Sequence, residues 1–353
     1  MNIAEFDFPF DPALVATEPV LPRHEARLLC LDPRFGSLTH RRVIDLPDLL
    51  DPGDLLVVND TKVMAARLSG RKQPTGTVVE VLFVRDLGNA VWEVLLKGHF
   101  RVGQRIEFDG GASATVLQRD AAGTTLKVSG PASVQELMHR QGRMPLPPYI
   151  KRAVQPDDQV WYQTCFAERE GAIAAPTAGL HFTPELLAAL RTRGVMTAAV
   201  TLHVGPGTFK PVVVEQIEQH RMGEEWFEVS AEAIQAIQRT QAAGRRVVAV
   251  GTTVVRALES AALQPSGLQP TTGESRLFVS PGFSFQVVDA LMTNFHLPRT
   301  TLLMLVSAFA GRELVYRAYE EAVKRRYRFY SYGDAMLILR RASCAGESEQ
   351  ARE

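Results

Sequence analysis

The chain has 353 residues, which at roughly 150 residues per domain predicts about two domains and excludes a single small module stapled by disulfides. Its 39 basic and 39 acidic residues give a formal net charge of zero. With 46% hydrophobic and 22% charged residues, the composition is that of a globular protein and excludes a disordered or collagen-like chain.

Neither a membrane segment nor a targeting segment is expected from the sequence. The longest strongly apolar run, Leu302–Ala310, is far shorter than the ~20 residues that span a bilayer, and the first residues lack a basic region followed by an apolar one. Cys30, Cys165 and Cys344 lie far apart, which fits neither a disulfide framework nor a cysteine-based zinc site. We therefore expect a protein of the reducing cytoplasm.

Between Arg67 and Gly130, short runs of β-forming residues alternate with turn residues. The runs are Thr77–Val84, Val91–Leu96, Arg105–Phe108, Ala114–Leu117 and Thr124–Val128. Several short strands at such even spacing predict a small antiparallel barrel.

After Lys151 the pattern changes to helices that alternate with strands. Thr183 is a predicted cap of a helix that Gly194 ends, and Ser230 is a predicted cap of a helix that Gly244 ends. An apolar strand pattern follows each helix. This order predicts a layered α/β structure.

The apolar segment Asp54–Asp60 precedes the barrel and is typical of a buried α/β strand. The predicted fold is therefore a larger layered α/β domain with an inserted small antiparallel β-barrel domain. The proline-rich segment Gly142–Tyr149 forms the predicted return crossing. We predict an α/β domain of residues 1–64 and 149–353, a barrel domain of residues 65–148, and a disordered tail from Cys344.

Common nucleotide, metal and hydrolase motifs do not occur in the sequence. A G-x-x-x-x-G-K-[ST] loop, an H-E-x-x-H pair and a G-x-S-x-G elbow are all missing, and Gly205-Pro206-Gly207 lacks the third glycine of a dinucleotide fingerprint. We expect no metal site. The remaining candidates are polar residues at strand ends, where α/β sheets bind ligands.

Four segments supply these candidates. Gly251-Thr252-Thr253 places amides and hydroxyls at a helix start, which suits an anionic or polar ligand group but also fits a simple capped helix. Three of the eight histidines, His181, His203 and His296, lie in loops. Taken singly, His181 also fits a hydrogen-bonded core histidine, and His203 a half-buried strand histidine.

Two basic segments are candidates for phosphate binding. Lys324-Arg325-Arg326-Tyr327-Arg328 interleaves cations with an aromatic ring, and Lys151-Arg152 follows the proline-rich crossing. The alternative for such a run is a solvated helix face.

Taken together, eight segments in the same order resemble the S-adenosylmethionine:tRNA ribosyltransferase-isomerases of queuosine biosynthesis. The matching segments are Leu56–Val63, Pro147–Arg152, Tyr162–Thr164, Gly171–Thr183, Thr201–Phe209, Gly251–Arg256, Thr293–Pro298 and Tyr327–Met336. Two positions depart from the family. Gly223 stands where a histidine is usual, so a shared acid or base at residue 223 is excluded in this chain. Leu297-Pro298-Arg299-Thr300 replaces a more usual Pro-Lys-Ser, a change that retains charge and hydroxyl.

The resemblance implies an α/β domain with an inserted barrel and a specific reaction. The ribosyl part of S-adenosylmethionine is transferred to 7-aminomethyl-7-deazaguanine at the wobble position of tRNA and rearranged. Adenine and methionine leave, and the product is epoxyqueuosine-tRNA. S-adenosylmethionine is consumed as a substrate, so no cofactor is expected, and neither is an obligatory protein partner.

This chemistry needs a general base beside the acidic 5′-methylene of the sulfonium compound and a proton acceptor for the aminomethyl group. The catalytic candidates are His181, His203, His296 and Asp334. The candidates for substrate binding are Thr177, Gly179, Phe182, Gly207, Thr208, Phe209, Thr252, Thr253, Asn294 and Glu168. The candidates for tRNA binding are Lys151, Arg152, Arg256, Lys324, Arg325, Arg326 and Arg328. The sequence does not decide which residue is the base.

Two other functions remain compatible with the sequence. A non-catalytic RNA-binding protein could use the barrel as an oligonucleotide platform, although the recognisable motifs lie mostly in the α/β part. A transferase could instead use S-adenosylmethionine for methylation. The products distinguish the three functions. Ribosyl transfer releases adenine and methionine, methylation forms S-adenosylhomocysteine, and an RNA-binding protein gives no turnover.

Overall fold

The computed structural model describes residues 1–120, 123–131, 133–207 and 212–340. Within these ranges the strands form a nine-stranded mixed sheet, a closed six-stranded barrel and one separate strand pair. The strands are β1 Arg27–Asp32, β2 Ser37–Arg42, β3 Leu55–Asn59, β4 Thr61–Val63, β5 Arg67–Lys72, β6 Thr77–Asp86, β7 Val91–Leu96, β8 Arg105–Glu107, β9 Ser113–Asp120, β10 Gly123–Ser129, β11 Arg169–Ala172, β12 Met196–Leu202, β13 Glu225–Val229, β14 Val247–Val250, β15 Thr271–Ser275, β16 Ala290–Asn294 and β17 Ala335–Leu339. The helices are α1 Leu46–Leu49, α2 Val134–Gln141, α3 Asp158–Trp161, α4 Pro184–Thr192, α5 Ala231–Ala242, α6 Thr252–Ala262, α7 Thr301–Ala310 and α8 Arg312–Lys324.

The large sheet has the order β15-β13-β12-β3-β14-β16-β17-β1-β2. Its central strands β12, β3, β14 and β16 are parallel, and every residue of β3 is buried. A parallel strand with both faces covered needs such a continuous apolar run. The α/β strand predicted within Asp54–Asp60 is therefore confirmed, and so is the predicted fold class.

The helix ends follow the predicted capping chemistry. The Thr183 hydroxyl accepts a hydrogen bond from the amide of Leu186 at 3.3 Å, and the Ser230 hydroxyl accepts one from the amide of Ala233 at 3.2 Å. Gly194 follows α4 with φ 85°, a backbone conformation that favours glycine. Each cap directs the following strand back into the sheet.

The six barrel strands close in the order β10-β7-β6-β5-β8-β9, and all their pairings are antiparallel. The predicted barrel is confirmed. Its first strand, β5, was not among the predicted runs, because only its second and fourth residues are buried and the fourth is Gly70. A Cβ atom at Gly70 would lie 2.6 Å from Cγ2 of Ile106, so this close strand approach requires glycine.

The barrel segment is inserted between two neighbouring strands of the sheet. β3 precedes the barrel, β12 follows it, and the two pair in parallel from Met196 opposite Leu55 to Val200 opposite Asn59. Arg67 and Arg143, at the start and the end of the inserted segment, form an antiparallel bridge. The division into residues 1–64 with 149–353 and residues 65–148 stays a prediction that agrees with this arrangement.

Some expectations fall outside the described ranges. Thr208, Phe209 and the tail from Cys344 belong to this group. No helix in the described part of the chain has the length and apolar character to cross a membrane. In the same ranges, no group of three or more histidine, cysteine or acidic side chains could hold a metal ion.

Candidate active site

The polar residues after the central strands meet at one edge of the sheet. Because β12, β3, β14 and β16 are parallel, the residues that follow them, His203, Asp60, Gly251 and Phe295, lie along the same edge. Carboxyl ends of parallel strands are where α/β sheets bind ligands. Two pockets lie along this edge.

The smaller pocket, here called the central pocket, encloses about 20 Å³ at the start of α6. Its lining residues are Ala175, Pro176, Thr177, Ala178, Val204, Gly251, Thr252, Thr253, Thr293, Asn294, His296 and Leu302. Gly251 precedes α6 with φ 97°, a conformation that L side chains rarely adopt, and Thr252 and Thr253 form the first turn of the helix. The pocket therefore brings together four of the predicted substrate-binding residues.

Hydrogen bonds occupy the polar side chains around the central pocket. The Thr177 hydroxyl donates to Oδ1 of the Asn294 side chain at 2.8 Å, and Nδ2 of the same side chain lies 3.1 Å from Nε2 of His181. Nε2 of His296 lies 2.9 Å from the Thr293 hydroxyl. Burial lowers the pKa of His181 to about 4, with Arg328 and Arg23 adding to the shift, and burial alone lowers the pKa of His296 to about 3. Both rings are therefore neutral near pH 7.

The larger pocket, here called the barrel–sheet cleft, lies between the barrel and the sheet edge and encloses about 500 Å³. The lining residues from the inserted segment are Val84, Arg85, Asp86, Trp92, Glu93 and Gln135. The others are Met64, Glu170, Gly171, His203, Val204, Gly205, Pro206, Gly207, Met222, Gly223, Glu224, Glu225 and Trp226. Its volume suits a nucleoside-sized ligand.

His203 contributes the imidazole of the barrel–sheet cleft. Its Nδ1 atom lies 2.7 Å from the Thr61 hydroxyl, and its ring stacks on Trp226 with 4.9 Å between the centroids and 21° between the planes. A Cβ atom at Gly171 would lie 2.5 Å from Nε2, so glycine is required beside the ring. Burial, with a smaller contribution from Arg169, lowers the pKa of His203 to about 4.

The lining of the cleft is acidic. Five carboxylates, from Asp86, Glu93, Glu170, Glu224 and Glu225, line the cleft with one guanidinium, that of Arg85, and three of them pair with cations outside the lining, Lys62, Arg256 and Arg276. An excess of carboxylates beside tryptophan rings attracts cationic ligands. The cleft therefore suits a ligand with a positively charged group.

Most of the other predicted ligand-binding residues lie outside both pockets. Asp334 is buried and accepts hydrogen bonds from the amides of Arg27 at 3.0 Å and Arg328 at 2.7 Å. Phe182 packs in the core against Phe166 with ring centroids 5.5 Å apart. Glu168 is exposed and lines neither pocket. These contacts give Asp334 and Phe182 structural roles.

The two predicted ligand-binding glycines, Gly179 and Gly207, lie in different parts of the site. Gly179 lies in the short 3-10 helix Thr177–His181, where a Cβ atom would come within 3.0 Å of the Thr164 side chain. It therefore allows close packing beneath the central pocket. Gly207 lines the barrel–sheet cleft.

The predicted tRNA-binding residues divide into exposed and paired groups. Lys151, Lys324, Arg325 and Arg326 are exposed. Arg152 is held by the buried carboxylate of Asp158 through two hydrogen bonds of 2.7 and 2.6 Å.

Arg256 and Arg328 do not form part of an open basic surface, contrary to their prediction as tRNA-binding residues. Arg256 is 3% exposed and forms a buried ion pair with Glu225. Arg328 is half-buried and donates to the backbone carbonyl of Tyr332. Arg152, Arg256 and Arg328 therefore support the fold from inside rather than form an open basic surface.

Three residues around His203 were not among the candidates. Thr61 and Gly171 lie within the motifs that carry the resemblance, so their positions were available to sequence analysis. Trp226 lies in β13, outside those motifs. No local pattern indicates that its ring meets an imidazole on the neighbouring strand.

The comparisons with known proteins agree with this architecture. The family described as "Queuosine biosynthesis protein" matches residues 3–338. A Pelobacter propionicus protein named S-adenosylmethionine:tRNA ribosyltransferase-isomerase is 50% identical over 343 residues, which cover 96% of this chain and all of the relative. An Aquifex aeolicus protein of the same name is 49% identical over 341 residues, with the same coverage.

A solved structure is also similar. The crystal structure of S-adenosylmethionine tRNA ribosyltransferase from Thermotoga maritima is 39% identical, covers 95% of this chain and 100% of its own, and gives a TM-score of 0.56. Fold and site together define an α/β enzyme with an inserted barrel and a ligand cleft between the two parts. The chain belongs to the queuosine biosynthesis protein family. The predicted family and the predicted enzyme class, a ribosyltransferase-isomerase, are confirmed.

Proposed function

We propose that this enzyme transfers the ribosyl moiety of S-adenosylmethionine to 7-aminomethyl-7-deazaguanine at the tRNA wobble position and isomerises it. Adenine and methionine leave, and the tRNA carries epoxyqueuosine. The observation that carries the proposal is the barrel–sheet cleft, because its carboxylates, its tryptophan ring and the imidazole of His203 suit this chemistry. Both substrates bring a cation, a sulfonium in one and an aminomethyl ammonium in the other.

The acidic lining has two uses in this reaction. Carboxylates of the cleft stabilise the positive sulfur, whose charge also acidifies the neighbouring 5′-methylene. A basic group in the cleft takes a proton from that carbon, and the ylide that results expels adenine. The aminomethyl group becomes nucleophilic when it loses a proton to a neighbouring acceptor.

The rim of the central pocket is proposed to bind the carboxylate of S-adenosylmethionine, because the pocket itself has room for little more than one water-sized group. The start of α6 offers backbone amides and the hydroxyls of Thr252 and Thr253, which suit a carboxylate. Val204 lines both pockets, so one ligand can extend from the helix start into the cleft. In this proposal S-adenosylmethionine is consumed as a substrate, and the reaction uses no cofactor or metal ion.

A local basic surface is proposed to bind the tRNA backbone. Arg317, Lys324 and Arg325 line a groove between α8 and β2 together with Glu320 and Glu321. Arg325 pairs with Glu321, so Arg317, Lys324 and the exposed Arg326 that follows α8 are the proposed phosphate contacts. Since the net charge is zero, phosphate binding depends on such a cluster. The target base leaves the anticodon stack and enters the cleft, as base-modifying enzymes require. The enzyme acts in the cytoplasm without an obligatory protein partner.

The test is incubation of the full-length enzyme with S-adenosylmethionine and tRNA that carries the deazaguanine base. We expect adenine and methionine in equal amounts, together with a tRNA heavier by the transferred sugar. S-adenosylhomocysteine would instead indicate a methyltransferase. Binding of the tRNA without turnover would indicate a non-catalytic RNA-binding protein.

A further inference from the structure

Resting on the proposed function, we infer that His203 is the base that removes the 5′ proton of S-adenosylmethionine through its Nε2 atom. Thr61, Gly171 and Trp226 are positioning residues, because they hold the imidazole at the wall of the cleft. This assignment separates His203 from the two other candidate histidines.

Space and hydrogen bonding distinguish the three rings. His181 and His296 are 4% and 6% exposed, and Nε2 of each already contacts a neighbouring side chain. His203 is half-buried, lines the larger pocket and contacts Thr61 through Nδ1. Its Nε2 has no hydrogen-bond partner among the described residues. That nitrogen is therefore available to a ligand in the cleft.

Four of the five carboxylates of the lining are held by cations, and one of them, Glu224, pairs with both Arg276 and Arg85. Glu170 pairs with Lys62 at 2.9 Å, and Glu225 forms its buried ion pair with Arg256. Glu93 pairs with Arg85 at 3.2 Å. An ion pair favours the ionised acid and weakens it as a proton acceptor.

The fifth acid, Asp86, accepts a hydrogen bond from the amide of Gly88 at 2.8 Å. Of the titratable groups that line the cleft, His203 alone is neutral near pH 7 and has a free nitrogen among the described residues.

The surroundings of His203 fix its position on three sides. Trp226 covers one face of the ring, and a Cβ atom at Gly171 would lie 2.5 to 2.6 Å from Nε2, Cδ2 and Cε1, so the Gly171 backbone packs closely against this part of the ring. Thr61 is fully buried, so its hydroxyl is a fixed partner for Nδ1. When this hydroxyl accepts the Nδ1 proton, the lone pair of the imidazole is on Nε2. A locked ring of this kind meets the geometric demand on a general base.

The proton transfer is balanced within the site. The C5′–H bond breaks, its electron pair stays on carbon beside the positive sulfur, and the proton goes to Nε2, which forms an imidazolium. The Nδ1 hydrogen bond to Thr61 and the Trp226 ring favour this cation, whereas burial and the guanidinium of Arg169 oppose it. The imidazolium then exchanges its proton with water or returns it to carbon.

The first test replaces His203 by glutamine, which keeps polar atoms near Thr61 but cannot take the proton. In D₂O the wild-type enzyme should place deuterium on C5′ of recovered substrate or product. In His203→Gln we expect kcat to fall roughly 10²- to 10⁴-fold and deuterium uptake to fall with it. His99→Gln is the matched control, because His99 is an exposed histidine of the barrel that lines neither pocket.

The second test separates positioning from folding. Thr61→Val keeps the shape but removes the acceptor of the Nδ1 proton, so kcat should fall roughly tenfold and its acidic limb should move to lower pH. Thr61→Ser should restore both. The charged groups near the ring, Arg169, Glu170 and Glu225, stay in place, so the shift reports on the Thr61 contact alone.

The tests distinguish a failure of the proposed function from a failure of the assignment of His203 as the base. A wild-type enzyme that never releases adenine overturns the proposed function. A wild-type enzyme that releases adenine, with His203→Gln exchanging deuterium at the wild-type rate, overturns the inference alone. An unchanged pH profile in a folded Thr61→Val enzyme removes Thr61 from the positioning residues.

Discussion

The central pocket and the barrel–sheet cleft use histidine in opposite ways. In the central pocket, His296 and the neighbouring His181 are buried, and each shares a hydrogen bond with an uncharged side chain. In the cleft, His203 is half-buried and uses one nitrogen for its anchor. Buried, partnered imidazoles organise a sheet edge, whereas a fixed imidazole in an open cleft can take part in chemistry.

The charged groups that line the two pockets also differ. No carboxylate lines the central pocket, which offers the start of a helix, whereas five carboxylates line the cleft. One region therefore suits an anionic group and the other a cationic group. S-adenosylmethionine carries both groups, so this difference agrees with its proposed placement across the two adjoining pockets.

The largest expected effect concerns the ion pair behind the cleft. In Arg256→Ala the buried carboxylate of Glu225 loses its cation, which should cost about 3–5 kcal/mol of unfolding free energy. Urea denaturation measures the loss. Arg276→Ala is the matched control, since Arg276 is exposed and its pair with Glu224 is solvated, so its loss should be much smaller. Equal losses in the two variants would contradict the structural role of Arg256.

A second large effect concerns pH and the buried histidine of the central pocket. The folded-state pKa of His296 is about 3, below the ordinary value of 6.5, so the unfolded chain binds the proton first as pH falls. Its contribution to stability is complete above pH 6.5 and is lost between pH 6.5 and 3, at about 1.4 kcal/mol per pH unit.

Denaturation at several pH values checks this prediction. The slope of stability against pH should be shallower in His296→Gln than in the wild type, and His99→Gln should keep the wild-type slope. Identical slopes in all three proteins would show that His296 does not titrate as its burial demands.

A medium effect tests the glycine beside His203. In Gly171→Ala the new Cβ atom would clash with the imidazole, and φ of 153° is unfavourable for alanine, so we expect kcat to fall about tenfold and stability to fall by about 1–2 kcal/mol. Gly273→Ala is the matched control, because a Cβ atom there meets nothing within 4 Å. If Gly171→Ala keeps full kcat, the ring does not need its present position.

The smallest effect concerns the tRNA surface. In Lys324→Ala combined with Arg326→Ala, each lost phosphate contact should reduce the slope of log affinity against log salt by about 0.7 to 0.9 without changing the unfolding free energy. Filter binding at several salt concentrations measures the slope. Arg193→Ala is the control, since exposed Arg193 lies just after α4, where β12 begins at the opposite edge of the sheet. Equal slopes in wild type and double variant would place the tRNA elsewhere.

Local patterns were enough to predict much of the fold. The apolar run of β3, the caps Thr183 and Ser230, and Gly251 at the start of α6 were all predicted, because each depends on neighbours within a few residues. The barrel strand β5 was missed, because its polar residues and Gly70 lack the pattern of a strand. Its place depends on contacts with β6 and β8.

Long-range pairing limited the prediction of the site. Sequence analysis identified His203 but not Trp226, because their contact arises only when β12 and β13 pair. It also counted Arg152 and Arg256 as surface cations, although Arg152 forms an ion pair with Asp158 and Arg256 forms one with Glu225. A basic residue becomes a candidate for phosphate binding only when its partners are known.

A structure of the enzyme with S-adenosylmethionine and a deazaguanine-modified anticodon stem-loop tests the central claim most directly. The account predicts the modified base in the barrel–sheet cleft and C5′ within about 3.5 Å of Nε2 of His203. A complex in which C5′ lies beside His181 or His296, with the cleft free of both substrates, would contradict it.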